Sequence, residues 1–263
     1  MRVAMVGWGA IARTVAGLLD ARIELVAVAT RRGIATPGTG APGAGARAIT
    51  APGELAATRP ALVVEAAGRD AVRPWALAAF ACGADAVVSS ASALADPSVL
   101  AELVDAASAA GRRLEVQSGA LGGIDALAAA SLAGLDEVEH RIVKPPAAWR
   151  GTDAERLCDL DALAGPTEFF TGSAAVTAAR FPMNANVAMT SALAGVGPDR
   201  TRVVLVADPR AGTNRHELVA RGAFGTMRVE LENRPLPDNP RSSMLAALAL
   251  ARRINGRVAP FVV

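Results

Sequence analysis

Short apolar runs alternate with stretches of helical spacing through the first 116 residues. Residues 3–6 (Val-Ala-Met-Val) run into glycine and predict a buried strand. Residues 11–19 carry apolar side chains at helical spacing, and residues 23–29 predict a second strand, completing a β-α-β unit of about 30 residues. Residues 33–53 are rich in Gly, Pro, Ala and Thr with little periodicity, and most of this stretch is predicted to be loop. Alternation then resumes with a strand at 61–66, a helix at 71–82, a strand at 86–89, a helix at 97–110 and a strand at 113–116. Strands alternating with helices predict an α/β class and a doubly wound parallel sheet of Rossmann type.

After Gly119 the texture changes. Residues 120–125 introduce a helix, and strand-like stretches at 137–143, 203–207 and 226–231 lie among helices and turns rather than in strict alternation. This pattern predicts a dinucleotide-type domain over 1–118 and a mixed α+β substrate domain over 119–241. A C-terminal segment, 242–263, whose helix starts at Ser242, is expected to return to the first domain. There is no internal repeat.

At 263 residues the chain is long enough for two modest cores. Alanine inflates the apolar fraction of 52%, and with 3% aromatics the core must be aliphatic. A net charge of +2, with both signs interspersed, gives no argument for nucleic acid or a membrane surface as partner. Lys144 is the only lysine among 27 basic residues. Cys82 and Cys158 lie far apart without metal-ligand spacing, and read as small hydrophobes in a reducing compartment rather than a disulfide. No metal site is expected. The apolar start resembles a signal peptide, but Gly7, Gly9 and Arg13 interrupt it. The charge-free stretch 181–198 contains Asn184, Asn186 and several breakers, so it is not read as a membrane span. The expectation is a soluble, cytoplasmic protein.

Two features carry chemistry. Gly7-Trp8-Gly9-Ala10-Ile11-Ala12 fits the dinucleotide fingerprint G-x-G-x-x-G/A, follows a strand and opens a helix. Gly7 permits the turn, Gly9 lets the backbone approach a pyrophosphate, and Ala10 and Ile11 begin the helix that faces it. Where the second strand ends, an acid would favour NAD. This chain has Thr30-Arg31-Arg32, and the guanidiniums of Arg31 and Arg32 suit a 2′-phosphate, so NADP is expected to be accepted; two solvated arginines are the other reading. Residues 66–68 and 89–91 end later strands, where a nicotinamide ribose lies.

The second feature is His216, in Asn214-Arg215-His216-Glu217. An imidazole moves protons near neutral pH, and oxidising an amino acid to an imine requires a neutral amine, hydride transfer and then an activated water. Asn214, two residues before, is placed to orient the ring or the substrate. His140, between Glu139 and Arg141, reads only as a strand-face or surface histidine.

Five blocks in order resemble the L-aspartate dehydrogenase family. They are residues 117–125 (Gln-Ser-Gly-Ala-Leu-Gly-Gly-Ile-Asp), Lys144-Pro145-Pro146-Ala147-Ala148-Trp149, residues 181–188 (Phe-Pro-Met-Asn-Ala-Asn-Val-Ala), Asn214-Arg215-His216-Glu217 with Gly222-Ala223-Phe224-Gly225, and residues 238–243 (Asp-Asn-Pro-Arg-Ser-Ser). The resemblance implies that His216 is catalytic and that Ala120 and Asn186 contact an NAD or NADP cofactor. It implies oxidation of L-aspartate to iminoaspartate and on to oxaloacetate and ammonia, reversibly, and an imine that can feed NAD synthesis. It also implies a homodimer built through the second domain. Asn184 or Asn186 alternatively caps the helix that follows. The chain departs from the family in two places: Arg241-Ser242 stand where Lys-Thr is usual, and Ser92 where glycine is more frequent. A substrate with two carboxylates needs cations, for which Arg241, Lys144, Arg215 and Arg180 are unranked candidates. The substrate-site set is thus Asn214, Arg241, Ser242 and Lys144. The alternatives are a related two-domain reductase of another small amino or carboxylic acid, and a non-catalytic dinucleotide-binding sensor.

Overall fold

The computed structural model describes residues 1–31 and 43–263, and the backbone alone of Pro240 and Arg241. The chain divides into two compact units. One comprises Met1–Gln117, Leu236–Ser242 and Ala246–Val263; the other comprises Ser118–Pro235 and Ser243–Leu245.

The first unit runs β1 (Arg2–Val6), α1 (Ala10–Ala16), β2 (Glu24–Ala29), β3 (Arg47–Ile49), α2 (Leu55–Thr58), β4 (Leu62–Glu65), α3 (Arg69–Ala81), β5 (Asp85–Val88), α4 (Pro97–Ala109) and β6 (Leu114–Val116). All six strands are parallel, in the order β3-β2-β1-β4-β5-β6. Val3, Met5, Leu62, Val64 and Val87 are fully buried, because a parallel sheet covered on both faces wants continuous apolar runs. α4 starts where Asp96 accepts from the Ser98 N–H and Pro97 takes the first helical position. The order reverses direction at the β1–β4 pair, the place where such sheets bind ligands. Part of the stretch predicted as loop is ordered: β3 pairs with β2, and a 3₁₀ turn covers Pro52–Glu54. Three residues are too few to leave a periodic signal.

The second unit runs α5 (Ile124–Ser131), β7 (Leu135–Lys144), β8 (Thr167–Ser173), α6 (Ala174–Arg180), α7 (Ala185–Ala194), β9 (Arg202–Ala207), β10 (Asn214–Gly222) and β11 (Gly225–Asn233). Its sheet has the order β11-β10-β7-β9-β8, with β7 and β9 parallel and the other pairs antiparallel. One face is largely apolar, with Ile142, Val203 and Leu205 packed on Trp149 and Phe181, and Val138, Leu218 and Ala220 packed on Leu127. The other carries ion pairs across strands, Arg141 with Glu168 and Glu217, Arg202 with Glu139, and Arg221 with Glu137.

Two strands escape the sequence pattern. In β8 the register shifts between Glu168 and Phe170, so alternation fails. In β10 the inward positions begin with polar Asn214 and His216 before Leu218 and Ala220, so the period-2 signal covers only half the strand.

The chain then forms β12 (Pro235–Leu236), β13 (Asn239–Ser243), which pairs with it, and α8 (Met244–Asn255). α8 buries Ala247, Leu250, Ala251 and Ile254. The Asn255 side chain donates to the Leu18 carbonyl and accepts from the Asp20 N–H, and Arg257 pairs with Asp85 and Glu115. Among the described residues, no helix is long and apolar enough to cross a membrane, and no His, Cys, Asp or Glu cluster suits a metal ion.

Candidate active site

The first unit holds a cavity of about 580 Å³ at the ends of β1, β2 and β4. Gly7, Trp8, Gly9, Thr30, Arg31 and Ala66 are among its lining residues. Gly7 has φ +93°, and a Cβ there would lie 2.6 Å from the Ala66 carbonyl oxygen, so β1 can reach β4 this closely only as glycine. A Cβ on Gly9 would meet nothing within 4 Å; Gly9 borders open space at the start of α1, whose first positions are Ala10 and Ile11. The Thr30 hydroxyl is buried without a hydrogen-bond partner among the described residues. An orphaned hydroxyl, a glycine-lined wall and the exposed Arg31 fit a phosphorylated dinucleotide. Arg32 lies outside the described residues.

Sequence reasoning passed over Glu65, which organises this end of the sheet. It is 2% exposed at the end of β4. Its carboxylate accepts from the N–H groups of Ala67 and Gly68 at 2.7 Å each, from those of Ser89 and Ser90 at 3.2 and 3.0 Å, and from the Ser90 hydroxyl at 2.9 Å. One side chain thereby ties the turn after β4 to the turn after β5. The signal was an acid closing an otherwise apolar strand.

The second unit holds the histidines. His216 of β10 pairs with Ile142 of β7, and His140 pairs with Leu218. His140, Ile142 and Lys144 alternate onto the face of β7 that His216 shares on β10, so His216 has His140 and Lys144 as diagonal neighbours. His140 Nε2 lies 3.1 Å from His216 Nδ1, with ring centroids 5.3 Å apart. His140 Nδ1 lies 2.9 Å from the Ser191 hydroxyl of α7. Lys144 Nζ donates to the Asn184 side-chain carbonyl and lies 5.1 Å from the Trp149 ring centroid. Asn184 and Ser191 stand two helical turns apart and therefore face the sheet together.

This cluster contains no acid. Burial alone pushes His140 down to about 4 and Lys144 down to about 8. His216 falls well below its ordinary value, first through burial and then because its own charged form would be repelled by a protonated His140 or Lys144. At neutral pH His216 is an uncharged base beside a cation whose partners are a neutral amide and an aromatic ring. His140 does lie on a strand face, but it is fully buried, which corrects its alternative reading as a surface residue. Its flanking charges point to the opposite face, where Glu139 and Arg141 find ion-pair partners.

The structure also ranks the candidate cations. Arg215 turns away from His216 toward Glu217, Glu230 and Glu232, and Arg180 pairs with Asp153 while stacking over Phe170. Lys144 has no acidic partner among the described residues. The side chain of Arg241 lies outside the described residues. Ser242 is in the first unit, where its hydroxyl accepts from Asn239 at 3.0 Å. Asn214 shares the inward face of β10 with His216. Ala120 is buried, and its carbonyl accepts from the Asn233 side chain at 2.9 Å, a contact with no local sequence signal. Asn184 occupies the position before α7 without capping it, and Asn186 is exposed within the first turn. Ser92 lies buried in a 3₁₀ turn, Ala91–Ala95, without positive φ, so nothing there requires glycine.

Comparison with known proteins matches two families. Residues 125–257 match the C-terminal domain of aspartate dehydrogenase, and residues 7–117 match the NAD-binding domain of homoserine dehydrogenase. The L-aspartate dehydrogenase of Brucella anthropi is 50% identical over 99% of this chain and 98% of its own length. That of Ruegeria pomeroyi is 52% identical over 64% of this chain and 61% of its own. Among solved structures, the aspartate dehydrogenase of Thermotoga maritima superposes with a TM-score of 0.80 at 25% identity, covering 100% of this chain and 99% of that one.

Proposed function

This chain belongs to the L-aspartate dehydrogenase family, and on that footing we propose that it oxidises L-aspartate with NAD or NADP to iminoaspartate, which water converts to oxaloacetate and ammonia. The amination of oxaloacetate is the reverse. When bound, the oxidised nicotinamide supplies the two-electron acceptor for the Cα–H bond. Gly7, Gly9, Ala10 and Ile11 would hold its pyrophosphate and Arg31 the 2′-phosphate of NADP, with Arg32 as a second candidate; the family resemblance adds Ala120 and Asn186.

Lys144 takes a substrate carboxylate, because a cation already partly stripped of water and paired with neutral groups gains most from an anion. Asn214, inward on the same strand as His216, orients the substrate, and the resemblance of the final block assigns the other carboxylate to Arg241 and Ser242. His216 is the base. Uncharged at neutral pH, it takes a proton from the substrate ammonium so that a lone pair on nitrogen can form the C=N bond. After losing that proton, it deprotonates the water that attacks the imine carbon.

The observation that carries this reading is buried His216 set diagonally to a half-buried Lys144 that has no acidic partner among the described residues. The test is reduction of NAD and NADP by L-aspartate from neutral to alkaline pH, with His216→Ala measured beside the native protein. A loss of about 10²–10⁴-fold in kcat is expected. Aspartate-dependent turnover unchanged in His216→Ala would sink the assignment of the base. Cofactor binding without turnover on any amino acid would favour a sensor. The same reading takes the enzyme to be a cytoplasmic homodimer whose imine is drawn on for NAD synthesis, with neither nucleic acid nor a membrane as partner. The family resemblance supports the dimer and the imine's use, and light scattering of the purified chain tests the dimer.

A further inference from the structure

We propose that Ser191 and His140 are positioning residues that fix the proton of His216 on Nδ1 and so leave Nε2 as its basic nitrogen. The inference rests on the reading of His216 as the base and deepens it.

The direction of the hydrogen-bond chain follows from its far end. Ser191 sits inside α7, and its hydroxyl oxygen lies 3.0 Å from the Ala188 carbonyl oxygen and 3.3 Å from that of Val187. A carbonyl oxygen only accepts, so the hydroxyl proton must point at the helix backbone; turned elsewhere, it would leave two oxygens facing each other at contact distance with nothing between them. The Ser191 oxygen is then an acceptor toward His140. At 2.9 Å, His140 Nδ1 must carry a hydrogen to reach it. A neutral imidazole has one N–H, so His140 Nε2 carries a lone pair. That lone pair meets His216 Nδ1 at 3.1 Å, which must supply the hydrogen. His216 Nε2 is left bare, and it has no hydrogen-bond partner among the described residues.

The chain is therefore Ala188 C=O, Ser191 O–H, His140 N–H and His216 N–H, each donor pointing toward the helix. The argument needs His140 uncharged. The titratable group facing it is His216 from β10, Lys144 lies four residues further along the same face of its own strand, and α7 supplies the Ser191 hydroxyl. Full burial keeps His140 neutral through the physiological range. A carboxylate in its place would fix the same tautomer but add a negative charge, raising the basicity of His216 and offsetting the charge of Lys144. A neutral orienting group fixes the tautomer and leaves that charge free for the substrate. When His216 Nε2 takes a proton, the Nδ1–H stays donated to His140; no proton passes further along the chain.

The chain has only two histidines, so both can be read in one spectrum of ¹⁵N-histidine-labelled protein at neutral pH. Long-range ¹H–¹⁵N correlations are expected to show hydrogen on Nδ1 of both rings, with His140→Gln leaving His216 as the single, assigned signal. In Ser191→Ala, where His140 loses its acceptor, His216 is expected to shift toward the Nε2–H form. A native His216 that carries its hydrogen on Nε2 overturns the proposal. This measurement is made on the resting enzyme, so it stands apart from whether His216 is the base, which His216→Ala decides.

In turnover, His140→Leu and Ser191→Ala are expected to lower kcat roughly tenfold or more, a share of the general-base factor, with a much smaller change in aspartate KM. His140→Gln, whose carbonyl can accept from His216 Nδ1, is expected to recover most of the loss. Native kcat in both His140→Leu and Ser191→Ala overturns the proposal, and Ser191→Ala keeps the test open should the leucine variant fold poorly.

Discussion

The ammonium of Lys144 is held by the side-chain carbonyl of Asn184, seated before α7, and by no carboxylate among the described residues. That pairing leaves the charge unneutralised, and partial burial lowers its own proton affinity to about 8. If this charge binds a substrate carboxylate, kcat/KM for aspartate falls as pH rises through about 8, because deprotonation removes the cation. Lys144→Arg stays charged throughout and is expected to abolish that break. Lys144→Met is expected to lose about 2–5 kcal/mol of substrate binding, read as a KM increase of at least about 30-fold with cofactor KM unchanged. A native pH profile in Lys144→Arg would remove Lys144 from the substrate site.

Acid should weaken the fold through His140. In the unfolded chain the imidazole protonates near ~6.5. In the folded chain it resists until about 4. Between these values the unfolded state holds more protons, so the contribution is complete above 6.5 and is lost as pH falls toward 4. The loss is on the order of 3 kcal/mol from this group alone. Urea midpoints measured down that range should fall steeply for the native protein and less for His140→Leu.

Gly7→Ala places a methyl group 2.6 Å from the Ala66 carbonyl oxygen at a φ of +93°. Backbone strain alone costs about 1–3 kcal/mol, and the turn must open to relieve the clash. Calorimetry should show a lower Tm together with a large loss of dinucleotide affinity. Unaltered affinity would mean that the cofactor does not depend on this close approach.

Glu65→Gln keeps the shape but exchanges one acceptor oxygen for a donor. Some of its four backbone N–H partners are then left unpaired in the interior, at about 1–3 kcal/mol for each group. We expect weaker dinucleotide binding along with the lower Tm, since both tied turns leave strands that border the cavity.

Arg31→Ala is expected to raise the KM for NADP about tenfold and leave that for NAD nearly unchanged, the loss of one charge-assisted contact to a 2′-phosphate. Equal effects on both cofactors would assign Arg31 to the pyrophosphate or to solvent.

The first unit was readable because buried parallel strands repeat one simple pattern, and residues 3–6 and 61–66 display it without interruption. Glycine spacing marked the wall of the cavity for the same reason: Gly7 answers a local steric demand. The histidine pair was not readable. His140 and His216 are 76 positions apart and meet only through the β7–β10 register, while the charged neighbours of His140 suggested a surface strand. Those neighbours do face outward; alternation sends the histidine the other way. Glu65 was hidden similarly, because the N–H groups it gathers belong to turns whose geometry exists only after β4 and β5 have paired.

The six strands of the parallel sheet lie within residues 2–116, but the compact unit around them also takes in Leu236–Ser242 and Ala246–Val263. Arg257 reaches back to Asp85 and Glu115, and α8 covers part of the same unit. On a ribosome moving at roughly 5–20 residues per second, the nascent six strands wait several seconds or longer for that helix while the whole of the intervening sheet is made. The later-coded unit can therefore finish first. A premature stop between residues 246 and 256 would leave the histidine pair with all of its own unit while removing Arg257 and part or all of α8 from the other, so the step most exposed to truncation is cofactor capture.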